Sequence, residues 1–217
     1  MKKTSKNLIS NLGTIGFTGM AMFLLVFVVL GFIQPGYSHL EQTTSELVIG
    51  PFGWIQNLNF LIIAISIFAF GLGFGKSIYK NLFNPISFGF SVMSIIAILL
   101  IVFPSDWIAT NRAFHMSNLS FDGRMHYELT FIALILSPFS FYQIYIGLNK
   151  SPKWKSMSQY TFFVQLSSFF MGLAWAILLL SNFQGFQDWK GLFQKIIFVN
   201  ILVWFMVIGK KLQKINL

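Results

Sequence analysis

Carboxylate and imidazole side chains are the main candidates for chemistry in this sequence, and they are few. The chain has 217 residues, with six Asp and Glu residues and three His residues. All nine lie in three polar stretches, at residues 34–53, 104–128 and 181–192: they are Glu41, Glu46, Asp106, Asp122, Glu128, Asp188, His39, His115 and His126. Any catalytic or metal site built from such groups must therefore be assembled from these stretches.

The first stretch places a hydroxyl and a carboxylate side by side, at Ser45 and Glu46. One interpretation is the wall of a polar pocket. The other is a helix cap or turn, in which Thr44 or Ser45 satisfies open backbone amides before the next helix. The amides of Gln56 and Asn59, a few residues later, fit either a pocket or hydrogen bonds between helices.

The second stretch offers a possible metal site. On a helix, Asp122 and His126 at i and i+4 share a face, and that face could bind zinc if His115 or Asp106 folded over it. No HExxH motif supports zinc. The alternative is that Asp122 caps the helix and His126 forms a local hydrogen bond.

A hydrolytic site is a further hypothesis. Ser45, His126 and Asp106 supply the three residue types of a serine–histidine–acid arrangement, although no nucleophile-elbow sequence surrounds Ser45. In such an enzyme His126 would act as base or metal ligand and Asp106 as its orienting group. Ser45 and Glu46 would then be pocket groups, and the reaction would be hydrolysis or acyl transfer.

The elements that must position these residues are apolar helices. Hydrophobic residues make up 55% of the chain and charged residues 10%, with a mean hydropathy of +0.70, which excludes an ordinary soluble domain. A membrane-crossing helix needs about 20 apolar residues. We predict an all-α, polytopic transmembrane bundle that forms one domain over residues 1–217. Its six predicted segments are 14–33, 54–74, 86–103, 127–148, 160–181 and 192–209.

Two features of composition limit this architecture further. The chain has no cysteine, which excludes disulfides and thiolate sites. Gln194 and Lys195 interrupt the last apolar segment near its start, so a tilted or partly interfacial helix is possible there.

The basic residues predict the orientation of the bundle. Of the 15 Lys and Arg residues, all but Arg112, Arg124, Lys190 and Lys195 lie at the termini or in the second-to-third and fourth-to-fifth connections. Because Lys and Arg in short loops stay on the cytoplasmic side, we expect both termini in the cytoplasm of a multi-pass plasma-membrane protein. The net charge of +9 forms no continuous stripe. The expected partners are therefore membrane lipids and not nucleic acid.

The polar stretches also resemble a known family. They read Thr44-Ser45-Glu46-Leu47, followed by a glycine and Asn57, then Phe103-Pro104-Ser105-Asp106, then Gly123-x-x-His126. This succession resembles the bacterial and archaeal membrane family catalogued as domain of unknown function 998. The resemblance implies a six-helix bundle with Ser45, Glu46, Asp106 and His126 at the motif positions, and it implies no reaction.

A more distant comparison is with alkaline-ceramidase-like membrane hydrolases, which use a serine, an aspartate and three histidines around zinc. Ser45, Asp106 and His126 look similar in kind. The chain departs from that pattern because no histidine follows His126. The analogy is therefore one of residue types alone.

Together these observations predict an extracytoplasmic polar pocket that binds or acts on a lipid or small amphiphile. A hydrolase or acyl transferase is one form of this hypothesis. The alternative is a non-enzymatic transporter, lipid-binding module or accessory membrane subunit. The predicted spans carry no ionisable residue near their centres, which argues against a proton-coupled pump.

Overall fold

The computed structural model describes residues 2–107 and 114–214, and all the regular structure in these ranges is helical. Within the described residues, six helices are long and apolar enough to cross a membrane, which confirms the predicted all-α bundle. Arg112 lies outside the described residues. The helices are α1 (Lys2–Ile33), α2 (Gly53–Tyr79), α3 (Pro85–Val102), α4 (Phe121–Lys150), α5 (Ser158–Leu180), the short α6 (Gln184–Gln187) and α7 (Lys190–Lys214). Single 3₁₀ turns occupy Thr44–Val48, Met116–Asn118 and Lys155–Met157.

All six long helices begin earlier than the apolar pattern predicts: α1 at Lys2 instead of residue 14, α4 six residues early, and the others by one or two residues. The starts of α4 and α7 show why. Helix α4 begins at Phe121 instead of residue 127, because the Ser120 hydroxyl accepts a hydrogen bond from the Gly123 N–H (3.0 Å) and caps a polar first turn. Helix α7 begins at Lys190 and continues without a break through Gln194 and Lys195. A helix can start on polar residues when tertiary partners satisfy their side chains.

The six long helices pack in a closed ring. Each contacts the next in the order α1, α2, α3, α4, α5, α7, and α7 returns to α1. The approach of α1 to α2 is closest at Gly16 and Gly19, where a Cβ atom would meet the side chains of Phe70 and Ser66. Small residues at helix contacts are typical of membrane bundles, because packing replaces the hydrophobic effect there.

An aromatic cluster fills the space between α2, α3 and α7. The rings of Phe70, Phe90, Trp204 and Phe205 contact one another, with centroid separations from 4.7 to 6.5 Å. The buried Trp204 Nε1 donates to the hydroxyl of Thr161 on α5 (3.0 Å), which satisfies the indole. Through Trp204, the cluster connects α5 to the side chains of α2 and α3.

Candidate functional site

Three connections lie at one end of the ring, which we call the long-loop end; their described residues are 34–52, 103–107, 114–120 and 181–189. Glu46 is the centre of the first. The Thr43 backbone N–H and hydroxyl both donate to Glu46 Oε2, at 2.7 and 2.9 Å. Glu46 Oε1 lies 3.8 Å from Lys190 Nζ, and both side chains are fully buried. The predicted cap at Thr44 or Ser45 was wrong: Thr43 is the cap of the 3₁₀ turn, and Glu46 accepts its N–H.

The first turns of α7 hold this connection against the bundle. Lys195 Nζ donates to the carbonyl oxygens of His39 (3.0 Å) and Gln42 (2.6 Å), and Gln194 Oε1 accepts the Thr44 N–H (2.8 Å). The two polar residues that interrupt the apolar pattern of α7 are therefore bonded to protein. Together with the buried Glu46–Lys190 pair, these bonds hold residues 37–48 over the end of the ring. We call these residues the lid.

Two aromatic side chains of the lid have shifted pKa values. The Tyr37 hydroxyl donates to the carbonyl oxygens of Gln42 (3.1 Å) and Thr43 (3.0 Å), and burial together with the negative charge of Glu46 raises the pKa of Tyr37. Burial and the positive charge of Lys195 lower the pKa of His39. At neutral pH, Tyr37 is thus a donor and His39 is uncharged.

Asp106 fastens the second connection to α4. Its two carboxylate oxygens accept the Ser120 N–H (2.6 Å) and the Ser120 hydroxyl (2.8 Å), and Ser120 in turn caps the helix. A side chain at Gly123 would collide with the Asp106 carboxylate, so this position must be small. The alternative that Asp122 caps α4 was wrong, because Ser120 is the cap and Asp122 is exposed.

His126 is buried in the second turn of α4, and the backbone of the second connection orients its ring. Its Nδ1 lies 2.9 Å from the carbonyl oxygen of Phe103, which can only accept, so Nδ1 carries the proton and donates. In the neutral ring Nε2 is then an acceptor. Phe103, and not Asp106, is the hydrogen-bond partner that sets this orientation.

Below the lid, the helices of the ring line an elongated, partly open cavity of about 360 Å³. Along α4 its lining runs from His126 to Ile144, about 27 Å at the helical rise of 1.5 Å per residue. Most of the lining is apolar. Its polar members are Ser45, His126, Thr130, Ser137, Ser140, Gln165, Ser168 and Gln194. The cavity is thus a hydrocarbon-like slot that reaches polar groups at the long-loop end.

The structure brings some of the predicted site residues together and separates others. Ser45 and His126 line the same cavity, whereas Glu46 and Asp106 are absent from its lining and bond to protein. His115 is exposed, as is Asp122. Across residues 2–107 and 114–214, no three His, Asp or Glu side chains form a group that could hold a metal ion. The catalytic and zinc assignments therefore stay predictions.

The cavity and the ion pair are the parts of the site that sequence reasoning missed. Gln165 was noted as a polar residue inside a span, but no pattern linked it to Ser45 or His126. The pairing of Lys190 with Glu46 had one usable signal. A lysine at the start of an apolar helix needs a partner when its side chain is buried, and Glu46 was an available carboxylate.

Comparison with known proteins identifies a family. A family model described as protein of unknown function (DUF998) matches residues 17–210, which covers all six long helices in whole or large part. This match confirms the family indicated by the motifs in the polar stretches. No curated protein matches the chain, and no solved structure matches it.

Proposed function

We propose that this protein, which belongs to the family described as protein of unknown function (DUF998), binds a lipid or small amphiphile inside its helical ring. The apolar chain of the ligand lies in the cavity, and its polar group meets Ser45, His126 and Gln194 at the long-loop end. The observation that carries this proposal is the continuity of one apolar slot with a buried, oriented histidine.

The dimensions of the cavity suit such a ligand. Its volume of about 360 Å³ falls within the range of about 300–1,000 Å³ that small-molecule sites occupy. Binding sites of this kind are mostly apolar and carry a small number of placed polar groups. An elongated apolar slot excludes compact polar solutes and favours a hydrocarbon chain, because burying polar groups there costs free energy.

The orientation of the bundle follows from its charges. We place the protein in the plasma membrane with both termini in the cytoplasm, because Lys and Arg concentrate at the opposite end from the long loops. The polar end of the cavity is then extracytoplasmic. A ligand from the outer leaflet would meet it with its headgroup at the matching depth.

The contacts favour binding over hydrolysis. The Thr43 hydroxyl donates its one proton to Glu46. In the 3.1 Å hydrogen bond between Thr43 Oγ1 and Ser45 Oγ, Ser45 must therefore be the donor. A serine nucleophile must instead give its proton to a base that an acid orients. Hydrolysis or acyl transfer is the second candidate, supported by the presence of Ser45 and His126 in one cavity.

Tryptophan quenching tests the binding site directly, because Trp175 and Trp204 line the cavity. The probe is a lysophosphatidylglycerol whose single acyl chain carries two bromine atoms, which quench tryptophan at contact. We expect saturable quenching of the detergent-purified wild type. Ala133→Phe, which fills the cavity from α4, should abolish it.

The matched control is Ile135→Phe. Ile135 is on the same helix, is 70% exposed and lies outside the cavity lining. This variant should quench like the wild type. Equal quenching in Ala133→Phe, or no saturable quenching in the wild type, would refute the cavity as the binding site.

Turnover and metal content separate the second candidate from the first. Release of free fatty acid from the same lysolipid, lost in His126→Ala and in Asp106→Ala with expression intact, would establish a hydrolase. One zinc ion per chain by elemental analysis, lost in His126→Ala, would make that hydrolase a metalloenzyme. Binding without either result supports a lipid-binding protein or transporter.

A further inference from the structure

Gln165 on α5 is a buried polar residue of the cavity wall whose amide nitrogen has no partner in the described part of the chain. Its side chain is 5% exposed and lines the cavity. Its Nε2 is enclosed and has no hydrogen-bond partner within the described part of the chain. Buried amides are nearly always paired, so an unpaired one at the wall of a cavity points to an occupant that pairs with it.

The polar neighbours of Gln165 on α5 and α7, in contrast, do have hydrogen-bond partners. One turn along the same helix, the Ser168 hydroxyl donates to the Val164 carbonyl oxygen (2.7 Å) and accepts from Asn200 Nδ2 on α7 (2.9 Å). Asn200 Nδ2 also bonds Ser167 (3.1 Å). Ser167, Ser168 and Asn200 are therefore satisfied between α5 and α7, and Gln165 takes no part in their hydrogen bonds.

The depth of Gln165 follows from those contacts. Asn200 bonds residues on either side of Gln165, so the two are level along the bundle. Gln194, which bonds the lid, precedes Asn200 on α7 by an axial distance of about 9 Å at the helical rise. Between these levels the α7 side of the cavity is lined by Ile197 and Phe198. The cavity thus offers hydrogen bonds at two depths with an apolar stretch between them.

We infer that the cavity selects an acyl lipid, whose ester or amide carbonyl oxygen accepts a hydrogen bond from Gln165 Nε2 while its head lies under the lid. This inference rests on the proposed function. In a lipid with a polar head of several atoms, the carbonyl oxygen lies farther from the lid than the head does. It would then lie at the level of Gln165. A prenyl chain or an alkyl ether chain has no carbonyl there and leaves Gln165 unpaired.

The test compares two lysophosphatidylglycerol probes that carry the same dibrominated chain. One has an ester linkage, and the other has an ether linkage with a methylene group in place of the carbonyl. Dissociation constants come from tryptophan quenching of the purified full-length protein. We expect the wild type to bind the ester about 3- to 10-fold more tightly, the usual range for one net hydrogen bond.

Two variants assign that preference to a residue. Gln165→Leu should bind both lipids with the affinity that the wild type has for the ether. Gln187→Leu is the matched control, since Gln187 is 4% exposed, also carries an amide without partners in the described chain, and lies outside the cavity lining. It should keep the preference for the ester.

Each outcome decides the inference. Equal binding of both lipids by the wild type, or a preference that survives in Gln165→Leu, overturns the acyl assignment and leaves the binding site standing. Failure of the wild type to bind either lipid overturns both the inference and the proposed function. The wild-type comparison needs no variant, so a Gln165→Leu protein that fails to fold leaves the test intact.

Discussion

Replacing Glu46 with glutamine should destabilise the protein strongly. The substitution keeps the shape of the side chain and one oxygen, which can still accept from the Thr43 N–H and hydroxyl. It removes the negative charge beside Lys190, whose side chain is fully buried. The change therefore isolates the charge from the hydrogen bonds and from packing.

The expected loss is about 3–5 kcal/mol of unfolding free energy, which is the usual cost of removing one partner of a buried ion pair. The separation of 3.8 Å and the complete burial of both side chains place the pair in that class instead of among surface pairs, which contribute about 0–1 kcal/mol. In the double variant Glu46→Gln with Lys190→Met, the buried Lys190 ammonium is removed as well, and the buried Lys195 keeps its bonds to the carbonyl oxygens of His39 and Gln42. We expect it to recover at least about 2 kcal/mol, because the Lys190 charge that Glu46→Gln leaves without its carboxylate partner is then absent.

The measurement is a titration of the detergent-solubilised protein with SDS, followed by tryptophan fluorescence. Glu128→Gln is the control, because Glu128 is an exposed carboxylate at the same end of the bundle. A Glu46→Gln protein within about 0.5 kcal/mol of wild type, the scatter of surface substitutions, would refute the buried ion pair. The ion pair would also be refuted if the free energy lost in the double variant equalled the sum of the losses in Glu46→Gln and Lys190→Met measured separately.

Three further results are expected. Thr161→Val should cost about 1–3 kcal/mol in the same titration, because it leaves the buried Trp204 Nε1 without its acceptor, whereas a similar change at the exposed Thr18 should cost little. The pKa of His39 is lowered on folding, so the unfolded chain takes up a proton first as the pH falls through about 6.5. The unfolding free energy should therefore fall as the pH falls through that range, and His39→Phe should reduce this dependence. Because the chain has no cysteine, single cysteines can report the orientation. A membrane-impermeant maleimide should label Asn118→Cys in intact cells and Asn81→Cys only after permeabilisation. The reverse pattern would show that the orientation is opposite to the one proposed.

The number and class of the helices could be predicted from the sequence, and their ends could not. Long apolar runs determine that a segment crosses the bilayer, since the backbone must satisfy itself there. The start of α4 depends instead on Ser120 and on the Asp106 carboxylate that holds it. The start of α7 depends on carbonyl oxygens of a connection some 150 residues away in the chain. Such partners leave no local pattern.

The candidate site shows the same division. The clustering of Asp, Glu and His in three polar stretches correctly indicated one end of the bundle, because each stretch connects helices at that end. Which side chains meet was not predictable. The partner of His126 is the carbonyl oxygen of Phe103, and a backbone group is invisible to reasoning from residue types. The cavity takes its lining from all six long helices, so no single segment of the sequence indicates it.

The lid and the cavity therefore assign different roles to residues that look alike in the sequence. Glu46 and Asp106 bond protein groups and are absent from the cavity lining, so their contacts support a role in holding the lid. Ser45, His126 and Gln165 line the space that a ligand would occupy. Substitution of Glu46 should then lower the unfolding free energy while the molecules that stay folded keep their affinity for the lysolipid. Substitution of Gln165 should change affinity with little effect on stability, because Gln165 Nε2 has no protein partner to lose among the described residues.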